Sequence, residues 1–232
     1  MLKADFHLHT NADPQDRHVT HTGEQLIDGA AEQGFDCLAI TNHNALTWSD
    51  SLKEYAAARG ILLIPGVELT VQGCHIVLLN FTAAEIQRIK TIKDIKQFTG
   101  PDRLVIAPHP FYPLAHALKH EVERNLAVFD ALEVTSLYFR WMNFNGKAQR
   151  TAQKCGLPLI GSSDTHFLSQ LGLTHSLIEA ENNIPSVFSA IRSRQVQVVT
   201  TPLTLTWKDI ELAVNFTLTP LLSKVWRRII ST

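Results

Sequence analysis

The chain has 232 residues, 45% of them apolar, and a formal net charge of -1. A single domain of that length buries a core without staples, and a charge so close to zero excludes a global field that would draw in long nucleic acid. The three cysteines, Cys37, Cys74 and Cys155, form no C-x-x-C pair, a usage that suits a reducing cytoplasm rather than a disulfide scaffold.

The first residues run straight into strand-like Ala4-Asp5-Phe6-His7, which reads as structure rather than as a leader. No apolar run reaches the roughly 18 residues that a membrane span needs. Strands are expected at 4–9, 36–41, 62–69, 74–80, 103–108, 130–136, 158–163 and 195–200. Most are continuous apolar runs, as when both faces of a sheet are covered. Between them, helices are expected at 22–34, 48–59, 83–97, 114–127, 141–155 and 184–193. Thr22 is placed as an N-cap, and Gly34, Gly60 and Gly156 as C-terminal stops. Pro185 belongs in the first turn of the last of these helices. The alternation predicts an α/β fold with a parallel sheet.

Histidines and carboxylates gather at the ends of the strands. His7 and His9 are two apart, so both point to one face and can bite one ion. Glu68 follows an apolar run, where a carboxylate faces water or a cation; unlike histidine it can bridge two ions. His75 opens the next strand after a Gln72-Gly73 turn. His109 sits between Pro108 and Pro110, which fix its backbone and forbid a helix. His43, Asp164 and His166 complete the set, the last two after Gly161, where the backbone can approach closely. Strand ends are where α/β barrels collect catalytic residues. Ser162 and Ser163 have no histidine–carboxylate pair left to activate them, so a serine hydrolase fits poorly. His21, His116, His120 and His175 fall outside the pattern and read as surface or helix histidines.

The runs DFHLHT, AITNHN, IPGVELT, CHIVLL, IAPHPF, ALEVTS and LIGSSDTH resemble, in order and spacing, the PHP (polymerase and histidinol phosphatase) metal-dependent phosphoesterases over residues 1 to about 180. The resemblance implies a distorted seven-stranded (β/α), TIM-like barrel with two to three divalent ions at its mouth. By motif, His7, His9, Glu68 and Asp164 hold the first ion. Glu68 bridges to a second, bound by His75 and His109. His43 and His166 hold a third, with one more ligand from the loop after His9. Counting back from Thr22 gives His18 for that ligand; counting forward from His9 gives Asp13. Asn42 stands where the family usually has aspartate, which removes a carboxylate beside a ligand histidine. Such a loss typically weakens a site 10–100-fold.

Mixed histidine and carboxylate ligands suit zinc, manganese or iron. The expected chemistry is hydrolysis of a small phosphomonoester or a short nucleotide phosphodiester, with the activated hydroxide held by Glu68 and Asp164. Arg140 and Arg17 are candidate phosphate contacts, weighed against solvated surface arginines. The alternatives are an amidohydrolase, which also begins with H-x-H on a barrel strand, and a barrel that keeps its ions for binding or regulation. The barrel is expected to span 1–205. Residues 206–232 are expected to form a helical extension packed on the barrel or at a homodimer contact, with a membrane-surface helix as the remaining reading.

Overall fold

The computed structural model describes residues 1–139 and 141–203. Nine strands form one curved sheet: β1 (Leu2–Leu8), β2 (Cys37–Ile40), β3 (Leu62–Val71), β4 (Cys74–Leu79), β5 (Leu104–Ala107), β6 (Ala131–Thr135), β7 (Leu159–Ser162), β8 (Thr174–Ile178) and β9 (Val196–Thr200). Their order is β7-β6-β5-β4-β3-β2-β1-β8-β9. Just past β7, the His9 amide donates to the Thr165 carbonyl at 3.0 Å and the Thr165 amide to the His7 carbonyl at 3.3 Å. These bonds bring β7 back to β1 and nearly close a barrel of seven strands.

The expected barrel is present, but the sheet is mixed rather than parallel. β4 runs antiparallel to both neighbours, and β8 and β9 form an antiparallel pair added to the start of β1. The sequence reading had no strand at 174–178. That segment, Thr-His-Ser-Leu-Ile, carries polar residues at buried positions, so its pattern does not read as a core strand. Gly161 is where β7 and β8 come closest; a Cβ there would lie 2.6 Å from the His175 carbonyl oxygen.

Helices α1 (Gly23–Glu32), α2 (Asp50–Ala57), α5 (Asn145–Cys155) and α6 (Ile184–Arg192) lie within the expected spans. Thr22 caps α1 through a capping box with Gln25, and Gly156 ends α5 in the left-handed conformation. Two expectations fail. The helix at 83–97 is α3 (Ala83–Arg88) followed by a 3-10 turn at 92–97, because Thr91 caps a new start through Asp94. The helix at 114–127 shrinks to α4 (Glu121–Arg124) and a 3-10 turn at 126–128. The preceding residues are an irregular loop that meets the start of β4, its His116 carbonyl accepting the His75 amide.

The core sorts into an interior and two outer layers. Ala4, Ala39, Ile64, Val77, Ile106, Ala131 and Ile160 come from seven different strands and pack in one cluster with Phe188 and Ile191 of α6. Only the barrel interior is shared by all seven strands, so α6 plugs its lower end. Outside, Leu8 and Leu38 pack on Leu26 and Ile27 of α1, and Ile76 and Leu78 pack beneath the 92–97 turn. Apolar side chains thus fill the lower barrel and leave the upper end to polar ones.

Candidate metal centre

That upper end holds every ligand expected of the strands and strand ends. β1 carries His7 and is followed by His9, and its register against β2 slips between Asp5 and Leu8. β3 does not stop at Glu68. It continues to Val71 and turns into β4, so Glu68 lies mid-strand at the level of the mouth, bridged to His43. β4 runs downward from the mouth, which is why His75, near its start, faces the same site as residues at the ends of other strands. His109 and Asp164 adopt positive φ, 30° and 53°. Strained non-glycine backbone of this kind persists where the surroundings dictate it, commonly at functional sites.

Glu68 is at the centre. Its Oε2 lies 3.2 Å from His7 Nε2, 3.5 Å from His9 Nε2 and 2.9 Å from His43 Nε2. Its Oε1 lies 2.9 Å from His75 Nδ1 and 3.3 Å from His109 Nε2. The two oxygens therefore face two different groups of imidazoles. Asp164 Oδ1 lies 3.4 Å from both His7 Nε2 and His9 Nε2, and 3.5 Å from His166 Nδ1. His7, His9, His43, Glu68, His75, His109 and Asp164 are all buried, and His166 is partly so.

Burial opposes charge on Glu68 and Asp164, but His7 and its neighbours hold both carboxyls well below the usual carboxylate range. For His7 burial works against protonation too, and Asp164, Glu133 and Glu68 outweigh it, so its pKa stands well above the ordinary value. His43, beside Asp13, Asp16 and Glu68, is pushed up to about 12 despite burial. His75 moves the other way, because burial wins over its one carboxylate contact.

The loop after β1 sorts the candidates for the third group. Asp13 is buried, and its Oδ2 lies 2.9 Å from Nδ1 of His9 and 2.9 Å from Nδ1 of His43, while accepting the His43 amide at 2.8 Å. It fixes two rings from behind. Asp16 lies further out, 3.2 Å from His43 Nδ1 and 2.9 Å from His166 Nε2. His18 is more exposed, stacked on His166 at 5.7 Å with Nδ1 4.0 Å from Asp16. Asp16, His18 and His166 can converge on one point, as can His9, Asp13, Asp16 and His43. Asp16 was missed in the sequence because aspartate in a polar loop carries no pattern.

Glu133 was missed as well. Glu133, in β6 and buried, lies 2.9 Å from His7 Nδ1 and accepts the His109 amide at 2.7 Å. Asp5 accepts from the His7 amide and from the Ser163 amide and hydroxyl, tying β1 to the segment after β7. Burial pushes its carboxyl up to about 7. Among the substrate candidates, Arg17 is exposed in the loop after β1, and Arg140 lies outside the described residues. So does the expected C-terminal extension.

Asn42 departs from its expected role. Its Oδ1 accepts the Thr10 amide at 2.8 Å, and its Nδ2 donates to Thr10 and Thr47. It braces the loop rather than a ligand ring; Asp13 supplies the supporting carboxylate. His21 is buried rather than on the surface, its Nε2 2.8 Å from the His9 carbonyl. His175 is in a strand, β8, with Nδ1 3.1 Å from the Gly172 carbonyl.

The donor set fits divalent cations. His7 Nε2 and His9 Nε2 are buried and make no well-aligned hydrogen bond among the described residues, although oxygens of Glu68 and Asp164 lie 3.2–3.5 Å away, an expensive arrangement for a polar atom. For His7 and His9 the opposite ring nitrogen is held by a carboxylate, the arrangement that orients metal-ligating histidine.

A family model for the PHP domain matches residues 5–132, and a PHP-associated model matches residues 143–196. The chain belongs to the PHP-domain family. An uncharacterized protein of Methanocaldococcus jannaschii is 27% identical to this PHP chain over 151 residues, covering 60% of it and 84% of the relative. A two-domain protein from Bacteroides vulgatus, described as containing a predicted PHP-like metal-dependent phosphoesterase, superposes with TM-score 0.67 at 19% identity. The match covers 86% of this chain and 65% of that one, so this chain spans about two thirds of its length. A structure described as an amidohydrolase from Chromobacterium violaceum, with sulfate bound, superposes with TM-score 0.54 at 15% identity, covering 90% and 96% of the two chains. Likeness at these identities shows the shared fold.

Proposed function

We propose that this PHP chain hydrolyses phosphate esters, either a small phosphomonoester or a short nucleotide phosphodiester, with two to three divalent ions at the barrel mouth. The observation that carries the reading is Glu68, whose two oxygens face two separate groups of imidazoles, His7, His9 and His43 on one side and His75 and His109 on the other. His7, His9, Glu68 and Asp164 would hold one ion, Glu68, His75 and His109 a second, and His43 and His166 with Asp16 or His18 a third. Histidine with carboxylate suits zinc, manganese or iron.

Divalent ions in such a site supply an acidified water and positive charge for the phosphoryl oxygens. The chain does the rest by positioning. Asp13 and Glu133 fix the rings of His9, His43 and His7 so that the opposite nitrogens face the centre. Glu68 and Asp164, held ionised, keep the centre's charge balanced and orient what binds beside them. Arg17, exposed on the loop after β1, is a candidate contact for the phosphate. The three free cysteines suit a reducing cytoplasmic setting. We place the domain boundary near residue 205, with the segment beyond it an extension or a homodimer contact.

The competing reading is an amide hydrolase, favoured by the amidohydrolase relative in fold. Purified protein loaded with manganese or zinc should be offered phosphomonoesters, phosphodiesters and amides in parallel. Turnover of a phosphate ester, lost on chelation, is expected. Amide turnover without any ester turnover would overturn the proposal.

A further inference from the structure

Five large apolar side chains are exposed among the described residues: Met1, Leu114, Trp141, Met142 and Leu168. All but Met1 lie on loops that leave the upper ends of β5, β6 and β7. The loop after β1, with Asp13, Asp16, Arg17 and His18, meets the segment after β7, where His18 lies 5.7 Å from the Phe167 ring. Scattered exposed leucines need no explanation, but a tryptophan left largely exposed on a loop at this end of the barrel does.

That tryptophan belongs to an aromatic pair. Trp141 is 72% exposed and stacks on Phe139 with ring centroids 5.6 Å apart and planes within 7°. The pair is held, because the Phe139 and Met142 amides and carbonyls bond one another at 3.0 Å, which closes a tight hairpin. It sits on the loop that leaves β6, whose first residue is bonded beside Asp164. Ser136 donates to the Ser163 carbonyl, next to Asp164, at 3.0 Å. Three residues of chain reach at most about 11 Å, so the Phe139 backbone lies within that distance of Ser136.

We propose that the Phe139–Trp141 pair is a stacking platform for a planar aromatic ring on the non-reacting part of the substrate, either a nucleobase or a simple aryl group. The proposal rests on the phosphate-ester reading of the adjacent centre. A substrate anchored there by its phosphate would lay its ring across this face of the rim. The platform offers an exposed π-surface, which binds rings with little regard to their substituents.

Binding, rather than turnover, separates this proposal from the reaction itself. Dissociation constants would be measured by calorimetry on the manganese-loaded full chain, for two pairs of ligands matched in their phosphorus group. One pair is adenosine 5′-monophosphate and ribose 5-phosphate; the other is 2-phenylethylphosphonate and n-butylphosphonate. The ringed member of at least one pair should bind more tightly to the wild type. Trp141→Ala should weaken that ligand by at least about fivefold and leave the ringless one within about twofold, with Trp141→Phe restoring most of the affinity. A response in one pair alone identifies a nucleobase or a simple aryl group as the ring recognised. Equal binding of ringed and ringless ligands by the wild type, or an equal effect of Trp141→Ala on both, would overturn the proposal. So would loss of a dimer in sedimentation for Trp141→Ala with both affinities unchanged, which would make the rim an interface between copies.

Discussion

The carboxylate of Glu133 lies 2.9 Å from Nδ1 of His7, fully inside the barrel and behind the ring. Its other oxygen accepts the backbone amide of His109 at 2.7 Å, at a residue whose φ is 30°. One buried side chain therefore aims one candidate ligand and holds the strained backbone of another.

Glu133→Gln should keep the fold and lose affinity for metal. The amide has a single acceptor oxygen, so it cannot serve both the His7 ring and the His109 amide. Competition against a chromophoric chelator should show affinity for zinc or manganese falling about 10–100-fold. Unchanged affinity would mean that Glu133 only packs.

Glu68→Gln should cost more activity and more bound metal than His75→Ala. Glu68 touches both groups of imidazoles, whereas among the described residues the only carboxylate contact of His75 is with Glu68 Oε1. Elemental analysis and ester turnover on the two variants would check it. Equal losses would argue against a bridging role.

Asn42→Ala should destabilise the protein by about 1–3 kcal/mol, because it leaves the buried Thr10 amide without an acceptor. Metal stoichiometry in the folded variant should stay at the wild-type value. Loss of one ion with unchanged thermal stability would restore Asn42 to a role at the metal site.

Stability of the chelated protein should fall as pH rises. His43 is raised from 6.5 to about 12, so its contribution is complete below 6.5 and is lost as pH climbs toward 12. His7, His109 and His166 are raised as well. Asp5, raised from 3.8 to about 7, disfavours the fold progressively as it ionises. Glu68 and Asp164 are depressed, so their contributions hold above their ordinary values of 4.5 and 3.8 and vanish below. Melting temperature without metal should peak between 4.5 and 6.5 and decline toward about pH 9. With metal present the decline should disappear, since ions replace the protons. A metal-free Tm that rises over that range would contradict the protonated cluster.

Much of this was legible in the sequence. Continuous apolar runs located eight of the nine strands, and the imidazoles at their ends marked the mouth. β8 was hidden because its buried positions hold Thr174 and Ser176, the latter hydrogen-bonded to Gly161. The antiparallel β4 was not read, because the alternation of elements suggested a parallel sheet, although the Gln72-Gly73 turn is too short for a parallel crossover. Glu133 and Asp16 act through contacts with residues distant in the chain, and no periodicity records such contacts. Asn42 was misjudged for the same reason, since adjacency to His43 in sequence is not contact in space.

Anomalous diffraction from manganese-loaded crystals tests the central claim most directly, that Glu68 joins two ion sites at one mouth. Two peaks roughly 3.5–4 Å apart, with one Glu68 oxygen on each and His75 with His109 on the second, are the predicted result. A single ion that leaves His75 and His109 empty, or ions more than about 8 Å apart, far outside the spacing of a two-metal site, would contradict it.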